Sequence, residues 1–250
     1  MTHSPPPARF IDGPAGRLAV RTVEGAGPAV VWLGGFKSDM LGSKAERLDA
    51  WAREAVRAFV RFDYSGHGES DGRFEDGTIS AWRDDALAVI DQETAGGLVL
   101  VGSSMGGWIA LLAALARKTR VKGLVLVAPA PDFTEELIWK GLDDAQRDII
   151  MRDGRLERPS EYGPEPYVYT RALIDDGRAN LLLKGMIDLD VPVRILQGWA
   201  DPDVPAAHAL RLLDHLPGAD VTAHLDRTGD HRLSEPHQLE RLAATVAEID

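Results

Sequence analysis

The chain of 250 residues contains no cysteine. That excludes disulfides, thiolate metal sites and a cysteine nucleophile. Basic residues are the scarcer charge: 28 Lys and Arg stand against 39 Asp and Glu, a net charge of -11. Nucleic-acid binding needs clustered cations, so this balance argues against it, and against attraction to anionic membranes. The longest nearly uncharged stretch, residues 96–116, is broken by Gly102-Ser103-Ser104 and Gly106-Gly107. It reads as a buried strand and a buried helix, not a membrane span. The first residues, Met1-Thr2-His3-Ser4-Pro5-Pro6-Pro7, have neither the basic start nor the apolar run of a secretory signal. The expectation is a cytoplasmic protein with an extended tail over residues 1–8.

What the chain does have is an alternation of apolar runs and helical periods, with 44% hydrophobic residues. Arg9–Ile11 and Arg17–Val23 read as a hairpin across Asp12-Gly13-Pro14-Ala15-Gly16. Short apolar runs at Ala29–Leu33, Ala58–Phe62, Leu98–Val101, Val121–Val127, Val193–Gln197 and Asp220–Leu225 read as strands. Between them, residues 43–57 (Ser43 as N-cap, Glu46 three on), 78–93, 108–116, 206–216 and 235–248 carry helical spacing. Continuous apolar strands between helices indicate a mostly parallel sheet of eight strands, covered on both faces. The alternation fails over residues 131–190, where helix-like pieces surround a Pro/Tyr-rich loop at 158–169. The expected organisation is an α/β core at 9–130 and 191–250 with a lid inserted at 131–190.

Strand, Gly102-Ser103-Ser104-Met105-Gly106, then helix is the context of a nucleophile elbow. A serine nucleophile needs a base and a group to orient that base, in the chain order Ser, acid, His. Asp201 and Asp203 follow the strand ending at Gln197, and His231 follows the strand ending at Leu225. Both are positions just past strand carboxyl ends, where open α/β sheets build sites. Of the two acids, Asp201 is favoured, because it is the first loop residue that turns back toward the strand end. Backbone donors for an oxyanion are expected at Met105 and Phe36, the latter after Gly34-Gly35, with Gly35 and Ser103 beside the substrate. Trp139, Tyr162 and Tyr167 are candidate substrate contacts in the lid. His67, in Ser65-Gly66-His67-Gly68, is a possible minor contact. No metal-ligand spacing and no dinucleotide loop is present, so no cofactor is expected.

In combination, Leu33-Gly34-Gly35-Phe36, residues 61–70, Gly102 to Trp108, Gly198 to Pro205 and Asp230-His231 resemble the serine α/β-hydrolases over nearly the whole chain. Gly35 to Met40, residues 62–70 and Trp82-Arg83-Asp84-Asp85 are similar to the branch that holds a mitochondrial palmitoyl-protein thioesterase and acyl-glucuronide esterase. The resemblance implies hydrolysis of esters or thioesters of a small-molecule or acylated substrate by Ser104, Asp201 and His231, with Phe36 and Met105 as oxyanion donors. C–C bond hydrolases, serine peptidases and non-catalytic binding proteins share the same fold.

Overall fold

A computed structural model describes residues 7–159 and 166–249. Tyr162 and most of the expected tail lie outside the described residues. The chain opens with β1 (Arg9–Asp12), β2 (Arg17–Val23) and β3 (Ala26–Leu33), then α1 (Ser43–Glu54), β4 (Arg57–Phe62) and α2 (Ile79–Glu93). β5 (Leu98–Ser103), α3 (Met105–Ala116) and β6 (Val121–Val127) follow. After the irregular stretch come β9 (Val193–Gly198), α6 (Ala206–Asp214), β10 (Val221–Asp226) and α7 (Pro236–Ala247). One eight-stranded sheet runs in the order β1-β2-β4-β3-β5-β6-β9-β10. Only β2 pairs antiparallel to its neighbours, β1 and β4; the rest of the sheet is parallel. This is the α/β-hydrolase fold the sequence implies.

Strand side chains alternate between two cores, as the period of two requires. Val31, Leu33, Leu98, Leu100, Leu124 and Leu126 meet α2 and α3 through Trp82, Ile90, Trp108 and Ile109. Val30, Trp32, Val99, Val101 and Val125 meet α1 and α7 through Leu48, Ala52, Leu242 and Val246. Both layers are sealed, which is why these strands read as unbroken apolar runs.

Between β6 and β9 lie a π-helical turn (Thr134–Ile138), a 3-10 turn (Trp139–Gly141), α4 (Asp144–Asp153), β7 (Arg155–Arg158), β8 (Tyr167–Thr170) and α5 (Arg171–Ala179). β7 and β8 pair antiparallel, from Arg155 opposite Thr170 to Arg158 opposite Tyr167. The sequence reading placed a loop over 158–169; the ladder replaces both of its ends. β7 is Arg-Leu-Glu-Arg with one half-buried residue, so it carries too little apolar alternation to read as a strand. Ser43 is not the N-cap of α1 either. Gly42 occupies that position, and no side chain caps the helix.

Candidate active site

The sheet delivers its loops to one end. In the register, Leu33 is paired with Gly102, Ser103 with Val127, Val127 with Leu196, and Gly198 with Asp226. The carboxyl ends of β3, β5, β9 and β10 therefore lie side by side, and the loops leaving them carry Phe36, Ser104, Asp201 and His231.

Ser104 stands between β5 and α3 with φ 55°, a left-handed conformation that is costly for a residue with a side chain. Packing enforces it. A Cβ at Gly102 would lie 2.2 Å from Gly106 O, and one at Gly106 would lie 2.1 Å from Leu33 O. Only glycine lets strand, turn and helix approach so closely. The elbow is further tied to β6 by Ser104 N–H donating to Val127 O at 2.9 Å.

Ser104 Oγ lies 3.1 Å from His231 Nε2, and His231 Nδ1 lies 2.8 Å from Asp201 Oδ2. A carboxylate only accepts, so Nδ1 carries the proton and Nε2 accepts from the Ser104 hydroxyl. Asp201 is 6% exposed. Its Oδ1 accepts the N–H groups of Asp203 and Val204 at 2.9 and 2.8 Å. The acid chosen from sequence is thus the one that meets the imidazole; Asp203 supplies a backbone N–H to it and lines the cleft. The two loops are held edge to edge at Gly198, where a Cβ would lie 2.4 Å from Gly229 O.

The sequence reading missed two supports. Gln197, buried at the end of β9, donates its Nε2 to Asp201 Oδ2 at 3.2 Å and to Val204 O at 2.9 Å. A lone amide closing an apolar strand was the available signal. Lys44 of α1 donates its ammonium to Arg232 O, next to His231. Burial, reinforced by Arg232, pushes the Lys44 amine down to about 8.

The N–H groups of Phe36 and Met105 have no acceptor among the described residues. Met105 N–H is one of the unpaired donors that begin α3. Gly35 is packed against the nucleophile candidate, with a Cβ position 3.5 Å from Ser104 Cβ. A cleft of about 750 Å³ opens over these groups, lined by Gly35, Phe36, Ser103, Ser104, Met105 and His231 on the core side. From the irregular segment it is lined by Phe133, Leu137, Ile138, Arg158, Tyr167 and Tyr169. Phe36 is at the centre of its aromatic wall, with ring centroids 5.7 Å from Phe133, 5.9 Å from Tyr167 and 6.1 Å from Tyr169. Burial raises the Tyr169 phenol to about 12, so it stays neutral.

Trp139 does not join this wall, contrary to the sequence reading. Its ring lies between cations instead, with the Arg178 and Arg147 guanidinium carbons 4.5 and 5.7 Å from its centroid. Leu137 and Ile138, just before it in the chain, do line the cleft. Asp201, Asp203 and His231 offer ligand atoms within 4.8 Å of one another, a spacing compatible with a metal ion. Both Asp201 oxygens already accept hydrogen bonds, so the geometry suits the imidazole better than a cation.

A model of the alpha/beta hydrolase family matches residues 9–250. The chain is 34% identical over 233 residues to palmitoyl-protein thioesterase ABHD10, mitochondrial, of Mus musculus, covering 93% of this chain and 78% of that protein. Among solved structures, alpha/beta hydrolase domain-containing protein 10 from mouse superposes with TM-score 0.89 at 32% identity, over 96% of this chain and 97% of that one. A crystal structure from Agrobacterium vitis S4 superposes with TM-score 0.92 at 48% identity, covering 97% and 98%. The cytoplasmic expectation is corrected by the mouse palmitoyl-protein thioesterase, whose name places it in mitochondria. The lack of cysteine does not select between those compartments. With the family model spanning residues 9–250 and the mouse relative 34% identical over 93% of this chain, the chain belongs to the alpha/beta hydrolase family.

Proposed function

We propose that this protein is a serine hydrolase that cleaves carboxylic esters or thioesters through an acyl-enzyme. The observation that carries the reading is the chain of contacts from Ser104 Oγ to His231 Nε2 (3.1 Å) and from His231 Nδ1 to Asp201 Oδ2 (2.8 Å). Ser104 attacks the acyl carbon while His231 takes its proton, and Asp201 holds the tautomer and stabilises the imidazolium. Charge gathers on the former carbonyl oxygen, where the N–H groups of Phe36 and Met105 donate to it. His231 then protonates the leaving alkoxide or thiolate. Water, deprotonated by the same imidazole, releases the acid and restores Ser104.

The described residues between β6 and β9 act as a lid over the acyl group. Support comes from the wall of Phe36, Phe133, Leu137, Ile138, Tyr167 and Tyr169, which offers an acyl chain an apolar surface beside Ser104. The name of the mouse relative supports an acyl thioester as one substrate. Activated acyl esters, acyl glucuronides among them, fit the same chemistry.

The test is a series of acyl p-nitrophenyl esters and acyl thioesters of graded length, with a β-diketone and a peptide amide beside them. The expected result is turnover of esters and thioesters, rising with chain length and lost in Ser104→Ala. Turnover of the diketone or the amide alone overturns the reading.

A further inference from the structure

His67 is buried, at 4% exposed, and takes no part in the chemistry above. Its imidazole sits among Phe74, Trp82 and Tyr64, with ring centroids 5.1, 5.3 and 5.7 Å away, all edge to face. Nδ1 lies 3.2 Å from Ser65 O, which only accepts, so Nδ1 carries the proton. Nε2 is then a bare acceptor, and it receives the backbone N–H of Lys37 at 3.2 Å. The two contacts demand the same neutral tautomer.

Lys37 follows Phe36 directly, and its φ of 60° is a left-handed value that lysine rarely adopts. An outside contact must hold the chain there. The same glycine-rich loop grips the segment at a second point: Met40 N–H donates to Asp63 Oδ1 at 2.7 Å. Residues 36–40 are therefore fastened from below to residues 63–67.

We propose that His67 is a positioning residue for the oxyanion loop: by accepting the Lys37 N–H it fixes the peptide after Phe36 and aims the Phe36 N–H into the site. The inference rests on the proposed reading for its consequence in catalysis, but the contact itself stands apart from it. Removing the imidazole frees the Phe36–Lys37 peptide to rotate. Rotation disturbs a donor needed only once the oxyanion forms, so kcat falls while KM holds.

The experiment compares wild type, His67→Ala and His67→Gln. The amide oxygen of Gln reaches the place of Nε2, so it restores an acceptor without an imidazole. Two readouts are taken: hydrogen exchange of the Lys37 amide, and kcat and KM on a p-nitrophenyl ester. In His67→Ala, exchange at Lys37 is expected to rise about tenfold or more. There kcat is expected to drop about a hundredfold with KM unchanged. His67→Gln recovers most of both. Unchanged exchange at Lys37 in His67→Ala overturns the contact's positioning role. Faster exchange with unchanged kcat overturns its link to catalysis. If His67→Ala does not fold, His67→Gln still decides: wild-type exchange and kcat support the proposal, and lost turnover despite an intact melting temperature contradicts it. A wild type without ester turnover refutes the proposed function instead, while the exchange measurement still tests what holds Lys37.

Discussion

Asp201 and His231 meet at 2.8 Å through Oδ2 and Nδ1, while the other Asp201 oxygen is filled by two backbone N–H groups from its own loop. The carboxylate is thus fixed from one side and aimed from the other. Asp201→Asn keeps the loop contacts through Oδ1 but turns an amide N–H donor toward the imidazole, which forces the wrong tautomer. Turnover is expected to fall about ten-thousand-fold, as for a triad acid amide elsewhere. Asp203→Asn leaves the backbone N–H it supplies and is expected to stay within about threefold of wild type, the ordinary range of a surface charge change. Steady-state kinetics on one ester distinguishes the two.

Gly106 is the tightest point of the elbow, where a Cβ would press on Leu33 O at 2.1 Å and Gly34 O at 2.4 Å. Gly106→Ala must push α3 away from the end of β3. Urea unfolding is expected to show a loss of about 1–3 kcal/mol, the usual cost of overpacking, together with lost turnover. Gly185→Ala, with nothing within 4 Å of its Cβ position, is the neutral control.

Burial holds the His67 imidazole neutral, with its pKa lowered to about 4 from the ordinary 6.5. As pH falls through 6.5 the unfolded chain takes up a proton that the folded protein refuses. Stability from this group is therefore lost between about pH 6.5 and 4, in total about 3 kcal/mol. Asp63 works in the opposite sense: burial raises it to about 6, so its protonation favours the fold as pH falls. Comparing His67→Gln with wild type removes the shared contribution. The stability difference between them is expected to shift by about 3 kcal/mol in favour of the variant from pH 7 to pH 4. Urea titrations at the two pH values measure it, and a constant difference contradicts the buried neutral imidazole.

Phe133 and Trp139 separate contact with the cleft from packing within the segment between β6 and β9. Phe133 lines the cleft, so Phe133→Ala is expected to raise KM for long-chain thioesters about tenfold, given the apolar area lost. Short esters should be little affected. Trp139 is stacked against Arg178 and Arg147, away from the cleft. Trp139→Ala is expected to cost about 1–2 kcal/mol of stability and to leave the chain-length profile as it was.

Where each segment's burial is one-sided or complete, the sequence already spoke. Leu98 to Val101 is buried at every position, and the glycines beyond it permit one geometry, so the strand, elbow and helix were legible together. The meeting of Asp201 with His231 was legible because both lie just past strand carboxyl ends that the sheet brings to one side. The ladder of β7 and β8 was not, because β7 is charged at all but one position and its pairing is decided by the partner strand. Trp139 shows the same limit: an aromatic residue in an irregular segment has an apolar surface that either a ligand or two arginines can cover. His67 meets a backbone N–H 30 residues away in sequence, and no spacing within the chain encodes that contact; Gln197 meets its own loop, and the only signal was a lone amide closing an apolar strand.

The most direct test is intact-mass analysis after reaction with a fluorophosphonate, which reports whether one hydroxyl has been made nucleophilic by its neighbours. The account predicts a single adduct on Ser104 in wild type, none in Ser104→Ala, and a strongly slowed reaction in His231→Ala. An unreacted wild type, or an adduct that persists in Ser104→Ala, contradicts it.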